Sequence, residues 1–234
     1  SINIAGEYHG KFFLPDAALD NAGEDLVLED GLGRTILDFA YNDWYEITDG
    51  EGYSLTLIDP TAATSTWSDS LSWRPSAHVG GTPGEGPEDF PSPGDLVINE
   101  ILTHQDQDVP GDWVELVNLS GNTIDINGWY LSDDEDALDK VQLSGLSSLA
   151  PGAYLVLSEA SHFGTTAAGP NGFGLSELGD AVYLTSGDGS GLTGYRIEQR
   201  FGAAERDITF GRHILSDAEI DFTAQSEATS LASN

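Results

Sequence analysis

The chain has 234 residues, enough for one large domain or two small ones, and 39% of them are hydrophobic, too many for a disordered acidic tail. Asp and Glu number 40 against 8 Lys and Arg, a formal net charge of -32, which argues against nucleic-acid and anionic-membrane binding. There is no cysteine, so disulfides, thiolate metal sites and cysteine nucleophiles are excluded. No run of about 18 apolar residues is present to span a membrane.

Only Lys11 and Lys140 are lysines. Such a surface repels itself at neutral pH unless salt or bound cations screen it. Those conditions point to an extracellular or cell-surface setting. The acidity reads either as a solvated, solubilising surface or as a source of oxygen ligands for calcium.

Strand signals dominate in chain order. β-rich runs cover Asp25 to Glu29, Thr35 to Tyr41, Tyr53 to Ile58, Leu96 to Leu102, Trp113 to Asn118, Trp129 to Ser132, Tyr154 to Ser158, Ala181 to Thr185 and Asp207 to Phe210. Turn chemistry separates them, as at Asp30-Gly31, Asp49-Gly50, Ser120-Gly121-Asn122, Pro151-Gly152 and Asp188-Gly189. No segment holds an apolar 3.6-residue period, and no helix longer than two turns is expected. Many short strands punctuated by turns predict an all-β fold of antiparallel sandwiches.

Between Thr82 and Gly94 lie four of the ten prolines, and a residue without an amide hydrogen cannot donate to a ladder. This stretch reads as a semi-rigid linker. The expected organisation is a first domain at 1–85, a linker at 86–93 and a second domain at 94–234.

The two parts share motifs. Gly23-Glu24-Asp25-Leu26-Val27-Leu28, followed by Asp30-Gly31, matches Gly179-Asp180-Ala181-Val182-Tyr183-Leu184, followed by Asp188-Gly189. Trp73-Arg74-Pro75-Ser76 takes the place of Phe222-Thr223-Ala224-Gln225. The offset is roughly 150 residues, and on that register the first part lacks an opening half of roughly 50 to 60 residues.

The second part carries Val97-Ile98-Asn99-Glu100-Ile101, Asp112-Trp113-Val114-Glu115-Leu116-Val117-Asn118 and Ile124-Asp125-Ile126-Asn127-Gly128-Trp129-Tyr130-Leu131-Ser132-Asp133. Leu149-Ala150-Pro151-Gly152-Ala153-Tyr154-Leu155-Val156-Leu157 and Phe173-Gly174-Leu175-Ser176 follow in order. With these motifs, Gly94 to Asn234 resembles the lamin tail domain of nuclear lamins and many bacterial secreted proteins. The resemblance implies an immunoglobulin-like β-sandwich without enzymatic activity, and a first part that is the closing half of another copy. Fold analogy alone says little about function. Trp113 and Trp129 read as core, since burying such a side chain contributes about 2 to 3 kcal/mol.

Two acidic loops are candidate calcium ligands: Asp106, Asp108 and Asp112 before the Trp113 strand, and Asp133, Asp134 and Asp136 after the Trp129 strand. Loops at one end of a sandwich converge, so these two are placed to meet. Neither follows the EF-hand order. The five histidines, His9, His78, His104, His162 and His213, lack metal-ligand spacing. No G-x-S-x-G elbow or phosphate loop occurs, and Gly187-Asp188-Gly189-Ser190-Gly191 reads as a hairpin connection. No catalytic residue is assigned.

Two functions fit. One is an extracellular structural or adhesive protein, whose incomplete first sandwich is completed by a strand of another copy or surface protein, giving a filament or surface layer. The same half-domain also fits a fragment of a longer chain. The other is an accessory module that carries a secreted enzyme to a polysaccharide or a cell surface, with Trp44, Tyr45 and Trp67 stacking on sugar rings.

Overall fold

The computed structural model describes residues 19–83, 90–103, 111–203, 205–217, 219–226 and 228–229. The chain divides into two compact units, Ser1–Ser92 and Pro93–Asn234.

In the first unit, β1 (Gly23–Glu29) pairs antiparallel with β2 (Thr35–Asn42), and β3 (Leu55–Leu57) pairs antiparallel with β4 (Trp73–Pro75). Asp30 shapes the turn after β1: its carboxylate accepts the amides of Arg34 and Leu32 and the Arg34 guanidinium. Those bonds, the Arg34 amide first, hold its carboxyl below the ordinary range. Alternation sends Leu26, Leu37 and Phe39 inward, onto Trp67 and Trp73. Phe39 stacks on Trp73 and meets Trp67 edge-on, each at 5.6 Å between ring centroids. The Trp73 indole N–H donates to the Trp67 carbonyl at 2.6 Å. An aromatic cluster of this size substitutes for the wider sheets that a short chain segment does not build.

The second unit consists of two sheets. One runs β13-β12-β5-β6-β9, formed by β5 (Leu96–Leu102), β6 (Trp113–Asn118), β9 (Tyr154–Ser158), β12 (Thr209–Ile214) and β13 (Ile220–Gln225). The other runs β11-β10-β7-β8, formed by β7 (Tyr130–Ser132), β8 (Val141–Gln142), β10 (Asp180–Gly187) and β11 (Leu192–Phe201). Every pairing in both sheets is antiparallel. Phe201 and Phe210 meet from opposite sheets at 5.8 Å, and Leu96, Ile101, Val114, Leu116, Leu131, Leu157, Val182 and Leu184 are fully buried.

Simple alternation predicts Asn99 and Glu100 split between core and solvent, yet both are buried. The register shifts between Ile98 and Glu100, leaving Asn99 as the extra residue of a β-bulge. The bulge resets the phase, so that Leu96, Ile98 and Ile101 all reach the core. Glu100 then lies directly opposite Glu115, both without exposure. Asn99 donates to Glu115 at 2.8 Å, and Thr229 covers Glu100 through its amide and hydroxyl.

The two units share a local pattern. β1 opens on Gly23 at φ +100°, and β10 follows Gly179 at φ +106°. A Cβ on Gly23 would lie 2.4 Å from the Tyr41 carbonyl oxygen, and one on Gly179 would lie 3.1 Å from that of Phe201. In each case the glycine lets the hairpin partner pass at close range. Both hairpins, β1–β2 and β10–β11, also carry a register shift near their turns.

Among the described residues the one α-helix is α1 (Thr165–Ala168), four residues long. It follows a π-helical turn over Glu159–Phe163 and is anchored by the stacked rings of Phe163 and Phe173 at 5.0 Å.

Candidate functional site

The acidic loop after β7 is organised by hydroxyl and carboxylate caps. The Ser132 hydroxyl accepts the Asp134 amide and donates to the Ala137 carbonyl, and Asp134 accepts the Asp136 amide at 3.0 Å. Lys140 closes the loop: its ammonium donates to Asp133 at 2.6 Å and lies 3.6 Å from Asp134. The hydrogen bond with Asp133 is the leading reason that the Lys140 ammonium titrates above its ordinary value. Asp136 and Asp139 remain exposed. The geometry therefore gives Asp133 and Asp134 an internal cation.

Asp112 behaves differently. Its side chain accepts the Leu175 amide at 2.6 Å, and its own amide donates to Glu159 at 3.3 Å. The Glu159 amide returns a bond to the Asp112 carbonyl at 2.8 Å. Gly111, Gly164 and Gly174 crowd the Glu159 side chain so closely that a Cβ on either of the first two would lie 2.5 Å from it. The result is a two-carboxylate cradle linking the start of β6, the end of β9 and the segment after Phe173. Glu159 carried no motif in the sequence; only the β6–β9 pairing puts it beside Asp112.

Asp106 and Asp108 lie outside the described residues. Among the described residues no three histidine or acidic side chains come together in a metal-holding arrangement. Asp112 and the Asp133, Asp134 and Asp136 loop each bond within their own neighbourhoods.

The aromatics of the first unit are drawn inward. Trp67 retains 6% exposure, Trp44 packs 6.4 Å from Trp73, and the Tyr45 hydroxyl lies 3.1 and 3.0 Å from the carbonyls of Ser70 and Trp73. Their neighbours make these rings part of the core. Trp113 and Trp129 are buried as expected.

Two facing antiparallel sheets of four and five strands are those of an immunoglobulin-like domain. Residues 90–200 match the Lamin Tail Domain family, from just before β5 to the penultimate residue of β11. That family is typically non-catalytic. Neither the curated proteins nor the solved structures give a match to the chain.

Proposed function

We propose that this is a non-catalytic extracellular structural or adhesive protein, built from lamin-tail-like modules that associate by strand complementation. One observation carries the reading: the correspondence between the hairpins of the two units. In the second unit β10–β11 continues into β7 and β8, and β12–β13 continues into β5, β6 and β9. Their counterparts in the first unit, β1–β2 and β3–β4, each form a two-stranded sheet among the described residues. The motif at β1 matches that at β10, and the Trp73-Arg74-Pro75 strand takes the place of β13.

Two-stranded sheets are marginal alone, and open strand edges recruit further strands. A strand donated by another copy extends such an edge, and because donor and acceptor surfaces differ the contact repeats head to tail. A net charge of -32 opposes the approach of copies, so dissolved salt or bound calcium promotes the association. Such a product works outside the cell or on its surface.

Sedimentation velocity across a concentration series, in calcium and then in chelator, tests the reading, with negative-stain imaging of the same samples. Concentration-dependent oligomers or filaments are expected, dissociating in chelator at low salt. A monomer under every condition overturns it.

A further inference from the structure

We propose that the outer edge of β8 is a docking site for an extended, basic peptide segment of a partner protein. β8 ends one side of the four-stranded sheet, and in an antiparallel ladder alternate residues turn both backbone groups to the same side. Leu143 uses both of its groups toward the β7 side: its amide donates to the Trp129 carbonyl at 2.7 Å and its carbonyl accepts the Gly128 amide at 2.8 Å. The N–H and C=O of Gln142 therefore point the opposite way. They face a cleft of about 380 Å³ between Asp139–Ser144 and the helical excursion, which presents Ser161, His162 and Asn171.

Three features fit a strand into this cleft. First, the open edge at Gln142 offers an incoming strand one backbone donor and one acceptor. Second, the far wall supplies polar partners. His162 accepts the Ser158 amide on Nδ1 at 3.0 Å, so the neutral ring carries its hydrogen on Nε2 as a donor. Third, the charge is one-sided. The Lys140 ammonium is held by Asp133 and Asp134, which leaves the exposed Asp139 carboxylate as the uncompensated charge of the cleft. An arginine or lysine on the incoming segment complements it.

Two other outer edges of the same unit, β11 and β13, are guarded. β11 bears Arg196, Glu198 and Arg200 along its length, with an ion pair between the last two. On β13 the Phe222 amide is taken by the Asp221 carboxylate at 2.9 Å. Charged side chains and self-capping are the usual means of blocking strand addition. β8 has neither on Gln142. The proposal stands apart from association of the first unit.

The test is an amide chemical-shift titration of the full isotopically labelled chain with the capped peptide Thr-Val-Arg-Val-Thr, at millimolar concentration. The expected result is a shift of the Gln142 amide and the His162 ring, with binding weakened roughly tenfold when the peptide arginine is replaced by glutamate. Gln142→Pro removes the outward N–H while keeping the Leu143 bonds to the β7 side, and Asp139→Asn removes the charge. Each should weaken binding roughly tenfold while the remaining spectrum stays folded. Silence at Gln142 and His162, or equal binding of both peptides, overturns the proposal. So does a shift of the same signals with protein concentration alone, which would assign the edge to a second copy.

Discussion

The hydroxyl of Tyr195, on β11 of one sheet, donates to the Leu96 carbonyl at 2.5 Å and accepts the Leu96 amide at 3.1 Å, on β5 of the other. β12 pairs with β5 only over Glu100 to Leu102, so the Leu96 end of β5 lacks that neighbour. A single phenol replaces both partners of a missing ladder residue, and its ring rests 5.3 Å from Trp129. The contact fastens the two sheets where one of them has run out of strand.

Tyr195→Phe keeps the ring and removes both bonds, leaving a buried N–H and C=O without a partner. A loss of about 1–3 kcal/mol is expected in denaturant unfolding. Burial also raises the Tyr195 phenol above its ordinary value of 10.0. An acid whose folded pKa is raised contributes stability below its unfolded pKa and loses it as pH climbs above that value. The difference in stability between parent and Tyr195→Phe should therefore shrink above about pH 10. Equal pH slopes for the two proteins would contradict this assignment.

Trp73 touches Phe39, Trp44 and Trp67 and is 8% exposed. Trp73→Ala should cost about 3–5 kcal/mol and unfold the first unit. Hydrogen exchange should then show protection lost over β1 to β4 and retained over β5 to β13. Loss of protection throughout would make the two units a single cooperative structure.

A Cβ on Gly172 would lie 2.4 Å from the backbone of Gly164, where the excursion folds back on itself. Gly172→Ala should cost about 1–3 kcal/mol through overpacking. Gly121 has open space around it and an ordinary φ, so Gly121→Ala should change stability by less than about 0.5 kcal/mol. Urea midpoints for the pair decide the matter.

Lys140 neutralises Asp133 and Asp134 from a position only 28% exposed. Lys140→Ala should cost about 0–1 kcal/mol at low salt, and less as added salt screens the ion pairs. Calorimetric titration should also find calcium bound more tightly by the variant than by the parent, since the two carboxylates then lack their internal cation. Unchanged calcium affinity would place any calcium elsewhere on the chain.

Much of the fold was legible in local sequence. β5, β6 and β9 fall at the residues that alternation and turn chemistry assign, because each is preceded by a proline–glycine pair, at Pro93-Gly94, Pro110-Gly111 and Pro151-Gly152. β11 was invisible: Arg196, Glu198 and Arg200 on an edge strand give it no apolar run, and its pairing with β10 makes it a strand. β4 and β8 are too short for any periodicity, and β13 exposes most of its residues. The strand expected from Asp207 begins instead at Thr209, after Asp207 takes a φ of +59°.

The amino-acid sequence by itself determined the all-β class, the acidic composition, the family motifs and the burial of Trp113 and Trp129, because composition and period-two patterning act over a few neighbouring residues. Only the tertiary structure decided the side-chain partnerships. It brought Glu159 to Asp112 and Tyr195 to Leu96, and it buried Glu100 opposite Glu115 through a one-residue bulge. These pairings join residues far apart along the chain, and their geometry is set by strand register and sheet stacking. Neither is written in the spacing of a motif.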